Sequence, residues 1–223
     1  MPQDSAVQPC RRKLLEAHMA VINLQSLKAA SMPLLILADL QKEYVCADRP
    51  LGLQNPQAAL VNCRRLLSHA RSMRIPVAFL RWAQRGHLFN PSGLFSGWID
   101  GLTPRGSDMV FERAWPSAYT SAEFANCMDE GLGDNAAIAG FTGSLSCLAT
   151  VVEGSQRQHR YTFITDASQT HALEGQDEER SHEIATSLIS LYARVETTES
   201  WIAGQMNKNP ASKLTWEREN AVR

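Results

Sequence analysis

No apolar run in this sequence approaches the roughly 20 residues that cross a bilayer. The stretch from Pro33 to Leu40 is apolar for about one strand's length only, so no membrane segment is expected. The opening residues MPQDSAVQPCRRKLLEAHM are polar and basic with no apolar core behind them, unlike a secretory leader. Charge of one sign is also missing. A formal net charge of −1 gives no field to hold nucleic acid or an anionic membrane. The five cysteines include no CxxC pair and no zinc-like spacing, which argues against a metal-knuckle or redox-pair design. Their odd number leaves at least one unpaired within a monomer, so a reducing, cytoplasmic setting is predicted. Internal repeats and low-complexity tracts are absent as well.

What is present is ordinary globular composition, 44% apolar and 20% charged. A chain of 223 residues holds one large core and is short for two. Residues 1–30 lack a clean period and are assigned to an N-terminal arm. Residues 31–206 form the predicted domain, and 207–223 a polar, loosely held tail. Within the domain, Pro33 to Asp39 is a continuous apolar run ending in a carboxylate, the mark of a strand buried on both faces. Asn55-Pro56 reads as a cap followed by proline at the first helical position. Ala59, Leu60, Cys63, Leu66, Leu67, Ala70 and Met73 then recur at helical spacing, predicting a helix over about 56–73.

Further strands are predicted at 75–81, 108–112, 136–140, 161–166 and 194–197. Helices are predicted near 121–130, 145–158, 178–192 and 198–206. Residues 83–107, rich in glycine, read as a long loop of the kind that covers a site. Strands alternating with helices predict a three-layer α/β/α fold around a mostly parallel six-stranded sheet, with right-handed crossovers. Ligands of such sheets sit beyond the carboxyl ends of the strands, where strand order reverses. That rim receives an acid, a cation and a thiol: Asp39, Arg113 and Cys147.

The three suit hydrolysis. A cysteine at a helix start meets unpaired N–H groups that favour the thiolate, and the same groups could hold an oxyanion. Asp39 could take the thiol proton and return it to a leaving amine. Arg113 could hold that carboxylate and oppose developing negative charge. Each residue alone has a plainer reading. Cysteine in a small-residue loop is commonly packing, aspartate after a strand commonly forms a turn, and an arginine commonly makes a surface ion pair.

Four segments are similar to the isochorismatase-like hydrolases, the superfamily of nicotinamidases, N-carbamoylsarcosine amidases and isochorismatases. Asp39-Leu-Gln41-Lys-Glu-Tyr44 resembles the D-x-Q-x-x-F/Y motif after the first strand. Arg113-Ala-Trp115-Pro-Ser117-Ala118-Tyr119 resembles the K-x-x-x-S-A-F segment. Gly140 to Thr150 resembles the glycine-to-C-V-x-x-T segment that bears the nucleophile. Phe163 to Ala167, with His182 and Val195 to Thr198, resembles the closing segments. The resemblance runs from about residue 33 to 201. It implies a small-molecule amidohydrolase with a thioester on Cys147, Asp39 as acid–base and Arg113 in the place of the family lysine.

Arginine keeps the charge but cannot relay a proton. Gly140 lies seven residues before Cys147 where the family pattern has six, so the loop is expected to carry one extra residue. The resemblance also implies a cis peptide in this loop and an oxyanion site from the backbone of Leu145, Ser146 or Cys147. Trp82, Phe89, Trp98, Trp115 and Tyr119 are expected around the pocket, and Gln41 beside it. An aromatic or carboxylate-bearing substrate would suit them, with Arg81 or Arg85 meeting a carboxylate.

His87 stands without a second histidine nearby, so neither a metal nor any other cofactor is expected. A homo-oligomer is implied by the resemblance. For His159, His171 and His182 no role beyond helix or loop surface is assigned. Three alternatives stay open. One is a catalytically retired binding protein on the same fold, and another an ether hydrolase of the isochorismatase type. The third is a redox-sensing Cys147 resolved by Cys46.

Overall fold

Residues Leu34–Ala38 form β1, and every one of them is buried. The computed structural model describes residues 33–208; the predicted arm, and the predicted tail beyond Lys208, lie outside them. Strand β1 is covered on both sides. Leu35 and Leu37 pack with Leu60, Leu66 and Leu67 of helix α1 (Gln57–Ser72), while Leu34, Ile36 and Ala38 face Phe124, Val151 and Ile189. Alternation sends successive side chains to opposite faces, so a strand with a hydrophobic layer on each side has to be apolar throughout.

The remaining strands are β2 (Val77–Trp82), β3 (Met109–Arg113), β4 (Ala136–Phe141), β5 (Tyr161–Gln169) and β6 (Arg194–Glu196). All pair in parallel, in the order β3-β2-β1-β4-β5-β6. Helices α2 (Ala122–Asp129), α3 (Leu148–Gln156) and α4 (Glu178–Ile189) cover one face. Helix α1 and α5 (Thr198–Lys208) cover the other. The predicted three-layer α/β/α architecture is therefore the observed one, with the sheet wholly parallel. Strand order reverses between β1 and β4, and ligands of such sheets bind beyond the carboxyl ends at that point. Among the described residues no helix is long and apolar enough to cross a membrane.

Local differences from the expected elements have physical causes. Proline 56 is the capping residue of α1 rather than its first helical residue, and no side chain caps the helix. Before α3 the chain makes a π-helical turn over Gly143–Cys147. Strand β5 is longer than expected because it continues past an irregularity after Ile138 of its partner β4, where Ser168 Oγ accepts from Gly140 N at 3.2 Å and donates to Ile164 O at 2.9 Å.

Helix α1 also buries a histidine. Both ring nitrogens of His69 lack a hydrogen-bond partner among the described residues, and the ring stands edge-on to Trp201 of α5 at 6.0 Å. Burial lowers its pKa below the ordinary 6.5. The unfolded chain therefore takes up a proton that the folded chain refuses, and stability falls as pH drops below about 6.5. His69→Leu is expected to flatten that acid-side loss in urea unfolding measured between about pH 5 and 7. An unchanged pH slope in the variant would show that His69 charges freely in the folded protein.

Candidate active site

Asp39 follows β1 directly and adopts φ +51°, a left-handed conformation that aspartate tolerates better than most residues. The turn aims its carboxyl along the sheet rim instead of across it. Arg113 is the last residue of β3, two strands away from β1 in the sheet. Its guanidinium crosses over Trp82, with Cζ 4.4 Å from the ring centroid. Arg113 Nη2 donates to Asp39 Oδ2 at 2.5 Å, and Nη1 donates to the carbonyl of Trp115 at 2.9 Å.

The third member is Ser146. Its hydroxyl donates to Asp39 Oδ2 at 2.7 Å and accepts from Arg113 Nη2 at 2.9 Å. Acid, cation and hydroxyl thus form a closed triangle drawn from the ends of β1, β3 and β4. Asp39 and Ser146 are 0% exposed, and the side chains of the ion pair are equally sealed. Burial raises the pKa of Asp39 above its usual carboxylate value, opposed by Arg113 and by the Ser146 hydrogen bond. Asp39 Oδ1 meets the hydrogen-bond geometry with no described residue, although the backbone amide of Trp82 is near enough to favour the charged carboxylate.

Cys147 lies within electrostatic reach of Asp39 and Arg113, but its thiol hydrogen-bonds to neither among the described residues. Its thiol is 0% exposed and packs in the apolar layer with Ile36, Ala38, Phe124 and Val151. Burial, and next the negative charge of Asp39, push its pKa upward, the reverse of an activated thiolate. The residue hydrogen-bonded to Asp39 and Arg113 is Ser146, where the sequence predicts the thiol of Cys147. The reason is helical phase: adjacent residues on a helical turn point in different directions, so Ser146 facing the ion pair turns Cys147 toward the core.

The expected extra residue is likewise not needed. Ser146 is the sixth residue after Gly140, and Thr150 follows Ser146 by four, as in C-V-x-x-T. Those two spacings were the available signal for Ser146. The cis peptide expected in the loop is present, between Phe141 and Thr142. The amides of Leu145 and Cys147 both donate to Thr142 O, at 3.3 and 3.1 Å, so neither is a free oxyanion donor in this state.

Other expected site residues separate into near and far. Gln41 is fully buried and spends its amide on the backbone. Its Nε2 donates to Trp82 O and Ser96 O, both at 3.0 Å, and its Oε1 accepts from Trp82 N at 2.8 Å. It clamps β2 and the covering loop, with both amide hydrogens committed to the backbone. Tyr119 points to the opposite end of the sheet, bonding Tyr161 OH at 2.8 Å and His159 Nδ1 at 2.6 Å. Tyr161 opens β5, so Tyr119 belongs to the amino edge and not the pocket.

Trp115 lies at the rim and is 68% exposed, and Leu145, next to Ser146 in the chain, is half-exposed. Phe89, from the loop over 83–107, packs on Tyr44 and on Trp82, with ring centroids 5.4 and 5.8 Å apart. Trp98 packs inward against Phe79. Arg81 is taken by Glu112 and Ser96, whereas Arg85 is exposed.

The three histidines are more than surface. His159 joins Tyr119. His171 Nε2 bonds Leu51 O at 2.8 Å. His182 bonds Thr170 and Thr165 behind the Ser146 loop. Among the described residues no group of three or more His, Cys, Asp or Glu side chains is arranged to hold a metal. Cys46 and Cys147 both carry free thiols.

Known proteins share this arrangement of elements. Residues 33–200 match the family model described as the isochorismatase domain. YddQ of Bacillus subtilis (strain 168), an uncharacterized isochorismatase family protein, is 23% identical over 176 residues, 75% of this chain and 97% of its own. An isochorismatase structure from Pseudomonas putida KT2440 is 29% identical with a TM-score of 0.70, over 77% of this chain and 90% of that one. N-carbamoylsarcosine amidase from Thermoplasma acidophilum, at 17% identity, has a TM-score of 0.62 over 75% and 96% of the two chains, a likeness of fold. The family match runs from β1 through β6 and takes in the buried triangle at the rim, and the chain belongs to the isochorismatase family of hydrolases.

Proposed function

We propose that this protein hydrolyses an amide-like C–N bond of a small molecule, with Asp39 as the proton carrier and Arg113 as its fixed cation. The observation that supports this most is the sealed triangle of Asp39, Arg113 and Ser146 at the strand-order reversal. A carboxyl raised by burial gives up and takes back a proton nearer neutral pH than an exposed aspartate does, as acid–base catalysis of amine departure requires. Arg113 stays charged throughout, so its part is electrostatic and it relays no proton. The fold relative that is an N-carbamoylsarcosine amidase acts on such a bond. Trp115 and Leu145, exposed at the rim, suit a substrate with a flat or apolar portion.

A second reading is favoured by one observation. With the Cys147 thiol in the core, an acid-catalysed ether cleavage led by Asp39 would need no thiol at all. A panel of small primary amides, N-carbamoyl acids and vinyl ethers separates the two, with ammonia, amine or enol product followed directly. Release from amide or carbamoyl compounds, abolished in Asp39→Asn, is the expected result. Cleavage confined to the vinyl ethers would move the chain to the ether class, and turnover of nothing in the panel would remove the C–N reading.

A further inference from the structure

We propose that the atom acylated during the reaction is Ser146 Oγ, so that the intermediate is an oxygen ester on Ser146 and Cys147 has a packing role only. This rests on the C–N hydrolase reading above and names its nucleophile.

The geometry assigns the two neighbouring residues opposite duties. Ser146 Oγ has a carboxylate oxygen at 2.7 Å to receive its proton and a guanidinium nitrogen at 2.9 Å to stabilise the oxygen once that proton has left. A nucleophile hydrogen-bonded to a base, with the base oriented by a third group, is the arrangement that activates a hydroxyl. Here Arg113 orients Asp39 at 2.5 Å and is itself held by the Trp115 carbonyl and the Trp82 ring. Cys147 feels both charges but hydrogen-bonds to neither group among the described residues. It belongs to the buried apolar cluster that includes Ala38, Phe124 and Val151, and turning its sulfur to the rim would carry Ser146 away from both charged groups.

The step balances without an outside reagent other than water. Asp39 takes the Ser146 proton, and Oγ bonds to the substrate carbonyl carbon to give a tetrahedral oxyanion. The C–N bond then breaks, and the nitrogen leaves as an amine carrying the proton returned by Asp39. Water next gives a proton to Asp39 and its oxygen attacks the ester carbon. The C–Oγ bond breaks, Oγ regains its proton from Asp39, and a carboxylic acid departs.

The test uses p-nitrophenyl acetate as a generic acyl donor on the full chain. The proteins are wild type, Ser146→Ala, Ser146→Cys, Cys147→Ala and Asp39→Asn, acid-quenched and mapped by peptide mass spectrometry. Expected results are acetyl on Ser146 in wild type and in Cys147→Ala, and p-nitrophenol release lowered at least about 100-fold in Ser146→Ala. Ser146→Cys should carry its acetyl on the new thiol as a hydroxylamine-labile thioester, which also shows that the loop folds when residue 146 is changed.

Acetyl found on Cys147 in the wild type would overturn the assignment while leaving a hydrolase with a covalent step. Release unchanged in Ser146→Ala would also overturn it. An Asp39→Asn protein that acylates Ser146 at the wild-type rate would instead remove Asp39 from the proposed reaction and leave the Ser146 assignment in place.

Discussion

Arg113→Met is expected to destabilise the fold by about 3–5 kcal/mol near neutral pH, the usual consequence of stranding one charge of a buried pair. Both side chains of the Arg113–Asp39 pair are fully buried, so no water replaces the lost partner. The pH dependence identifies the cause. Burial already holds the folded-state pKa of Asp39 above its ordinary value, with Arg113 the leading influence pulling it down; without the cation it rises further. A carboxyl shifted in that direction stabilises the fold fully below its unfolded value of about 3.9 and gives that stability up as pH climbs through the folded-state pKa.

The variant should therefore differ least from wild type in acid and most near neutrality. His69 titrates in both proteins, so its opposite effect cancels in the difference. Asp39→Asn combined with Arg113→Met exchanges both charges for neutral groups and should regain much of the loss. Urea unfolding across the pH range reads all three. A single variant within about 1 kcal/mol of wild type at every pH would mean that the pair is solvated in the working protein, as exposed ion pairs are.

The second large effect is expected at Gly140. It pairs with Ala38 across β4 and β1, immediately before Asp39 leaves the sheet. Its φ of +117° suits glycine and strains any other residue by about 1–3 kcal/mol. A Cβ built there would also collide with the Ala38 carbonyl oxygen, which is backbone in the sheet centre and has nowhere to move. Gly140→Ala is thus expected to lose about 4 kcal/mol or more, at the extreme of single substitutions.

Any protein that does fold should have Asp39 displaced and hydrolysis lost beyond what instability explains. Gly86→Ala is the control, since nothing lies within 4 Å of its added carbon. If thermal unfolding of Gly140→Ala matched that control, the close approach of β4 to β1 would be wrong.

How legible the chain was depended on what each feature requires. Strand β1 was readable because a strand covered on both faces must be apolar along its length, and Leu34–Ala38 admits no polar residue. Helix α1 was readable because Ala59, Leu60, Cys63, Leu66, Leu67 and Ala70 follow one stripe. Asp39 and Arg113 were readable as residues leaving strand ends, since a parallel sheet delivers all such ends to one rim. Their contact across two strands needed the strand order, which composition does not encode. Tyr119 misled for a related reason. It lies a few residues after Arg113 in sequence, yet the short turn at Ala118–Thr120 carries it to the amino edge, where Tyr161 and His159 bind its hydroxyl. Gln41 was expected beside a ligand, but the backbone of β2 and of the covering loop takes its hydrogen bonds.

The sequence by itself determined the alternating α/β order, the family motifs and the meeting of an acid and a cation at one edge. These follow from periodicity and from the direction of strands, which are local properties. Which of two adjacent residues, Ser146 or Cys147, meets the acid and the cation was carried in the sequence only by the spacings to Gly140 and Thr150, and the tertiary structure decided it. The choice is a matter of rotation about a π-helical turn, set by what packs behind it: the apolar layer accepts a thiol and excludes a hydroxyl without a partner, while the buried ion pair supplies that partner on the other side.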